Sequence, residues 1–492
     1  MYVRRAVAKE TAPHTREHPP SPAKRRQRAG HVFARASALA YRPFAPELES
    51  IRLYPPDASQ TDRSLLDSLL GAVTDFRNNH YVPRWYQERF LPADGRERKF
   101  YYLDLKPDRV RTPKRVYTRA ALLRWGPARC FVQRDLYTTF FKEWMSTDIE
   151  RRFFGRVDQS AKSAIEYFSS FEHPSVDGKA FDDFLLFMSL QKLRTPKGLS
   201  QVAEMVGRRD QLSVLQAMQQ LQRIYCAIWT ESVWSIADAS DSDVKFIVSD
   251  HPVTIYNKSC FPGSSFCRGY RDPDIRFVGS HTLFPLGLDK ILILTNLSWV
   301  RNPYMKPISL RPNPNFFRDA MFYFMAIQTR RSLQPTEVHE INYVIKSRAY
   351  RYVAAAEEEW LYPERHIPTP HWDRLGKGYL FMPDPRSVPF SSGMMVGYED
   401  GSTRAFDEYG RRPGQPGFRS SPNKSAEWDS YLAFKGEFAR VFGPARRGRG
   451  FEVGGRDFAE DSPEMHAYYL GLESKYKAKI NVSNRRKRKK RR

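Results

Sequence analysis

The chain has 492 residues, 41% of them hydrophobic and 14% aromatic, so it can bury a sizeable core and falls outside the fibrous and wholly disordered classes. Its net charge of +25 favours an anionic partner, most simply nucleic acid, and gathers at the ends: residues 1–30 are strongly basic and Arg485–Arg492 is basic at every position. Cysteines 130, 226, 260 and 267 are too few and too scattered for a disulfide framework, and no apolar run approaches the roughly 18 residues of a membrane span, which together point to a soluble cytoplasmic protein.

Residues 1–58, with Pro19-Pro20, Pro22 and Pro55-Pro56 among basic residues and no apolar signal-peptide core, read as a flexible lead-in. A domain is expected over 62–357. Leu65, Leu66, Leu69, Leu70, Val73 and Phe76 recur at helical spacing, with Thr61 or Ser64 as N-cap. Lys99–Asp104 is a strand, preceded by a turn at Asp94-Gly95. Ile149, Phe153, Val157, Ala161, Ala164, Ile165 and Phe168 trace one face of a helix over 140–171. A second helix runs from Phe181 to Arg194, stopped by Pro196, which disfavours α geometry at Thr195. One long third helix is expected from Leu199 to Trp229.

The period then changes from helical to extended. Val244–Val248 reads as a strand ending at Ser249-Asp250-His251-Pro252. His281–Phe284 and Lys290–Leu294 are two more strands, joined through Pro285-Leu286-Gly287. A last helix starts after Thr336 and continues to Ala356. Residues 362–484 are rich in Pro, Gly, Ser and Arg over most of their length and read as an irregular extension, followed by the basic tail 485–492. The fold class is α+β: a helix-rich domain with a small, mostly antiparallel sheet, flanked by basic, partly disordered tails.

No P-loop, dinucleotide-binding glycine fingerprint, HExxH or nucleophile elbow is present. The candidate chemistry is therefore a set of polar residues in informative places. His80 opens the aromatic segment His80–Phe90, where it is either a general base or metal ligand, or a histidine tied to a neighbouring carbonyl. Glu150 flanks the buried side of its helix and needs a cation, donor or metal there; the plainer reading is a solvated face paired with Arg151 or Arg152. Gln191 and Arg194 share a helix face, suited to a phosphate or carboxylate, or to a salt bridge with Glu150. Asp250 follows a strand and either holds a divalent cation or caps free backbone amides. His251, Cys260, Cys267 and His281 match no compact zinc spacing.

Several of these segments occur together in one order. His80-Tyr81-Val82-Pro83 leading to Phe90, the strand at 100–105, Asp135–Thr138, Ile149-Glu150 and Gln191–Pro196 form a first half; Phe246–Val253, Phe284-Pro285-Leu286 and Asn342 form a second. As a set, over about residues 79–356, this resembles the largely bacterial domain of unknown function 4238. The resemblance implies a domain boundary and no activity.

Two functions are expected. In one, His80, Glu150, Gln191, Arg194 and Asp250 converge, with Glu150 and Asp250 holding a divalent metal for phosphodiester hydrolysis. In the other, the motif residues lock the fold, and Arg485, Arg486, Lys487, Arg488, Lys489, Lys490, Arg491 and Arg492 bind nucleic acid without sequence preference.

Overall fold

The apolar run Ile291–Leu294 pairs with Thr282–Pro285 in a hairpin of the largest sheet, and residues buried on both sheet faces need no polar alternation. The computed structural model describes residues 78–492 except 94–96, 114, 135, 137–154, 172–176, 208–210, 312–326, 389, 391–392, 398–402, 408–412, 415–423, 451–459 and 490–492. The expected helix over 65–76, the Asp94-Gly95 turn and Glu150 lie outside these residues.

In chain order the domain begins with β1 (Asn78–His80), the short helix α1 (Arg84–Glu88), β2 (Phe100–Asp104), β3 (Arg109–Arg111), β4 (Val116–Thr118), β5 (Leu122–Trp125) and β6 (Val132–Arg134). Four helices follow: α2 (Gly155–Ser169), α3 (Gly178–Leu193), α4 (Pro196–Val206) and α5 (Gln211–Thr230). The remainder of the domain alternates: β7 (Ser232–Asp238), β8 (Val248–Ser249), β9 (Thr254–Asn257), β10 (Ser280–Pro285), β11 (Lys290–Asn296), α6 (Leu297–Arg301), β12 (Ile327–Ser332), α7 (Pro335–Arg348) and β13 (Tyr352–Ala355). Beyond it come a hairpin, β14 (Gly393–Gly397) and β15 (Thr403–Asp407), then α8 (Lys424–Phe442), β16 (Arg449–Gly450) and α9 (Pro463–Lys489).

The fold is α+β and helix-rich, with small sheets that are mostly antiparallel. The largest has the order β16-β12-β7-β11-β10-β9, with β12–β7 its parallel pair. A second has the order β5-β2-β13-β8 and is antiparallel throughout. One core cluster joins them, running from Tyr102 and Val353 through Phe168, Phe184 and Trp234 to Leu292 and Ile255. The aromatic tail of the first motif is part of it. The Tyr86 ring lies 5.4 Å from Phe284 in a stacked arrangement, and its hydroxyl donates to the Pro285 carbonyl at 2.6 Å.

Several boundaries differ from the sequence expectation. The single long helix over 199–229 is two helices, because α4 ends at Gly207, which adopts φ of 65° as a left-handed C-cap. Val244–Ile247, expected as a strand, makes no ladder: the Ile247 amide donates to the Asn342 side chain at 3.2 Å, and strand pairing starts at Val248. The last helix of the domain stops at Arg348, eight residues early, and 352–355 pairs as a strand. The segment 362–484, expected to be irregular, contains α8 and most of α9. Among the described residues no helix is long and apolar enough to cross a membrane.

Candidate functional site

Helix α3 is buried nearly all round, so polar residues at its C-terminal end are forced inside with it. Asp177 caps its start, accepting from the Lys179 amide at 2.8 Å and the Ala180 amide at 3.1 Å. Thr195 ends it with extended ψ and begins α4, its hydroxyl accepting from the Gly198 amide at 3.1 Å. The bend is tight: a Cβ on Gly198 would sit 2.3 Å from the Lys192 carbonyl oxygen. This kink turns Lys192 and Lys197, on successive helices, toward one point.

That point is Asp272, in the loop before β10. Its carboxylate receives Lys192, Lys197 at 2.6 Å, and lies 2.9 Å from His251 Nε2. His251 Nδ1 is 2.7 Å from the Thr195 hydroxyl, and its Nε2 is 2.8 Å from Lys192 Nζ. Lys192 also donates to the Val253 carbonyl at 2.9 Å, and Lys197 to the Arg348 carbonyl at 2.7 Å. All four charged or titratable side chains are at most 5% exposed. Burial and the adjacent Lys192 push His251 down to about 3, so its ring is neutral. Burial also brings Lys192 down to about 8, against the pull of Asp272. The two lysines hold Asp272 well below the usual carboxylate range although burial opposes them. Ionic contacts here tie α3, α4, the β8–β9 turn, the 271–274 loop and the end of α7 together.

Of the expected site residues, Gln191, Arg194, Asp250 and His80 are described, and each makes contacts other than those of this cluster. Gln191 Nε2 donates to the Tyr81 carbonyl at 2.8 Å, and its Oε1 accepts from Arg194 Nε at 2.9 Å and Nη2 at 2.6 Å. Arg194 pairs with Asp158 at 2.9 Å. Asp250 accepts three backbone amides: Tyr350 at 2.8 Å, Arg351 at 2.6 Å and Tyr352 at 2.8 Å. Burial raises its pKa and these amides oppose the rise. His80 is half-buried, with Nε2 3.2 Å from the Ala128 carbonyl, and burial lowers its pKa. It is Tyr81, rather than His80, that connects the first motif to the second.

Among the described residues no group of three or more His, Cys, Asp or Glu side chains is placed to hold a metal ion. The four zinc-type residues are spread over different contacts: His251 faces Asp272, His281 faces Thr295, and Cys260 and Cys267 face each other. Sequence reasoning missed Lys192, Lys197 and Asp272 as a unit. Polar residues in an otherwise apolar helix end were the available signal for the lysines; Asp272 sits in an aperiodic Arg-Asp-Pro-Asp loop and gives none.

No curated protein and no solved structure matches the chain. A family model matches residues 78–359, a span that holds the three motif segments and every member of the buried cluster, and by that match the chain belongs to the family described as protein of unknown function DUF4238.

Proposed function

We propose that this protein is a non-catalytic nucleic-acid-associated protein, in which the family domain is a locked scaffold and Arg485–Arg492 supplies sequence-blind phosphate contacts. The observation that carries the reading is the use of the motif side chains inside the fold: Asp250 is taken by three amides, Arg194 by Asp158 and Gln191, and Lys192 and Lys197 by Asp272. The basic run, by contrast, continues α9 as far as Lys489. That helix is fastened to α8 through Arg440–Glu473 at 2.8 Å and Lys477–Glu437 at 2.9 Å, with backbones so close that a Cβ on Gly436 would lie 2.6 Å from the Tyr469 carbonyl oxygen. Ten residues separate Lys479, which reaches Asp429 at 3.5 Å, from Lys489, so the helix carries the charge about 15 Å past that contact.

Fluorescence anisotropy of labelled duplex DNA and RNA, titrated with the full chain over a salt series, tests this. Binding should weaken steeply with salt, with a log–log slope reaching about −7 if all eight cations contact phosphate. Removing 485–492 should abolish most of it, and unchanged affinity after the truncation refutes the reading.

A second reading, metal-assisted phosphodiester hydrolysis by His80, Glu150, Gln191, Arg194 and Asp250, draws on the meeting of three distant motifs. Gln191 binds the Tyr81 carbonyl, and the Tyr81 hydroxyl lies within electrostatic reach of Asp250. It requires cleavage that depends on added Mg²⁺ or Mn²⁺ and disappears in Asp250→Ala. Metal-independent or absent cleavage rules it out.

A further inference from the structure

A cavity of about 50 Å³ lies away from the ionic cluster, between β9, β10, α6, the 375–382 segment and α8. Its walls are the side chains of Tyr256, Trp299, Phe381 and Phe434, and its polar groups are His281 and Lys258.

The hydrogen bonds around His281 determine which of its nitrogens carries the proton. Thr295, its cross-strand partner, donates its hydroxyl proton to the Phe381 carbonyl at 2.7 Å. A hydroxyl has one proton to give, so at 3.0 Å the Thr295 oxygen accepts from His281 Nδ1–H. The ring is 95% buried, and burial together with the Lys258 charge pushes its pKa down to about 3. It is therefore neutral, and Nε2 is an acceptor that no donor among the described residues reaches. Tyr256 brings no competing group, because its hydroxyl is committed to the Trp372 carbonyl at 2.6 Å. Lys258 is part-buried, with its ammonium 5.2 Å from the centre of the Trp299 ring. Burial lowers its pKa, while Asp373 and Glu437 act on it at longer range and raise it.

The cavity thus presents one acceptor and one cation between flat apolar walls. At about 10–15 Å³ for each water-sized position, it has room for a ligand of a few heavy atoms. We propose that this cavity binds a small hydroxy-carboxylate, its hydroxyl donating to His281 Nε2 and its carboxylate accepting from Lys258. A neutral ligand would leave the part-buried ammonium without an anionic partner in the cavity, and a simple carboxylate would leave Nε2 without a donor.

Calorimetric titration of the full chain with glycolate, and separately with acetate, tests the assignment. Glycolate should bind saturably and roughly tenfold more tightly than acetate, the worth of one buried hydrogen bond. Lys258→Met, which keeps an unbranched chain at this part-exposed position, should remove glycolate binding while the circular dichroism stays unchanged. Equal affinity for the two acids overturns the proposal, as does glycolate binding retained in Lys258→Met. Absence of saturation with either acid in the wild type also overturns it and assigns the cavity to solvent.

Discussion

Replacing Asp272 by Asn removes the carboxylate on which Lys192 and Lys197 converge while keeping the side-chain volume. Both ammonium groups are at most 3% exposed, so neither can turn to water for compensation. Breaking a buried ion pair by removing one partner costs about 3–5 kcal/mol, because the remaining charge stays buried and unpaired. Here two cations lose one anion, and the upper half of that range is expected at pH 7. Lys192 has a partial escape: its folded pKa is already down to about 8, and losing Asp272 lowers it further, so it sheds its proton. This gives a pH signature. A lysine whose folded pKa lies below its unfolded value makes the unfolded state bind more protons, so stability rises with pH across the window between the two. In the wild type the window opens near pH 8 and runs to the ordinary lysine value of 10.5. In Asp272→Asn it opens at lower pH. Urea unfolding of both proteins at pH 7 and pH 9 measures the effect, and the loss should be smaller at pH 9. The double variant Asp272→Asn/Lys192→Met, with one buried charge fewer, should recover at least about 1 kcal/mol of it. A single-variant loss under about 1 kcal/mol, or a double variant no more stable than the single, refutes the account of the cluster as an ionic lock.

His251 and His281 are both buried and neutral, each with a folded pKa down to about 3 against an ordinary value of 6.5. Below pH 6.5 the unfolded chain takes up two protons that the folded chain refuses, so stability is lost as pH falls from 6.5 toward 3. By pH 4.5 the loss is on the order of 5 kcal/mol, read from urea midpoints between pH 7 and 4.5, and a flat profile there contradicts the neutral-ring assignment. Gly198→Ala would put a Cβ 2.3 Å from the Lys192 carbonyl and 2.6 Å from the Leu193 carbonyl, forcing the α3–α4 bend open. A destabilisation of a few kcal/mol is expected by thermal melting, whereas the same change at Gly178, which has no atom within 4 Å of the added carbon, should be near neutral or stabilising.

Elements with a single strong periodic signal were legible in the sequence. The hairpin β10–β11 and helix α3 appear within a few residues of their expected limits, because the apolar runs Ile291–Leu294 and Phe184–Met188 leave little alternative. The break at Gly207 was hidden because an apolar stripe continues on both sides of it, from Val202 to Val214, Met218 and Ile228. The stop of α7 at Arg348 was hidden for the opposite reason: Tyr352–Ala355 is short and apolar, and short runs of that kind suit strand and helix equally. At the candidate site, the shared helix face of Gln191 and Arg194 is seen in the hydrogen bonds between them. The partners of the motif residues were not legible. Asp158, Asp272 and the amides of 350–352 reach the motifs by tertiary approach, which no spacing within the chain reveals.

The pairing of β13 with β2 has a consequence for how the chain comes off the ribosome. Tyr101–Asp104 finds its partner in Tyr352–Ala355, roughly 250 residues downstream, and β8 joins through the same strand. At 5–20 residues per second, β2 and β5 wait on the order of tens of seconds with one edge unpaired before the strand that completes their sheet has been made. During that interval Tyr102 can pack on Trp125 and Phe131 but lacks Tyr352, and the open edge of β2 makes the nascent chain a state exposed to aggregation and to chaperones.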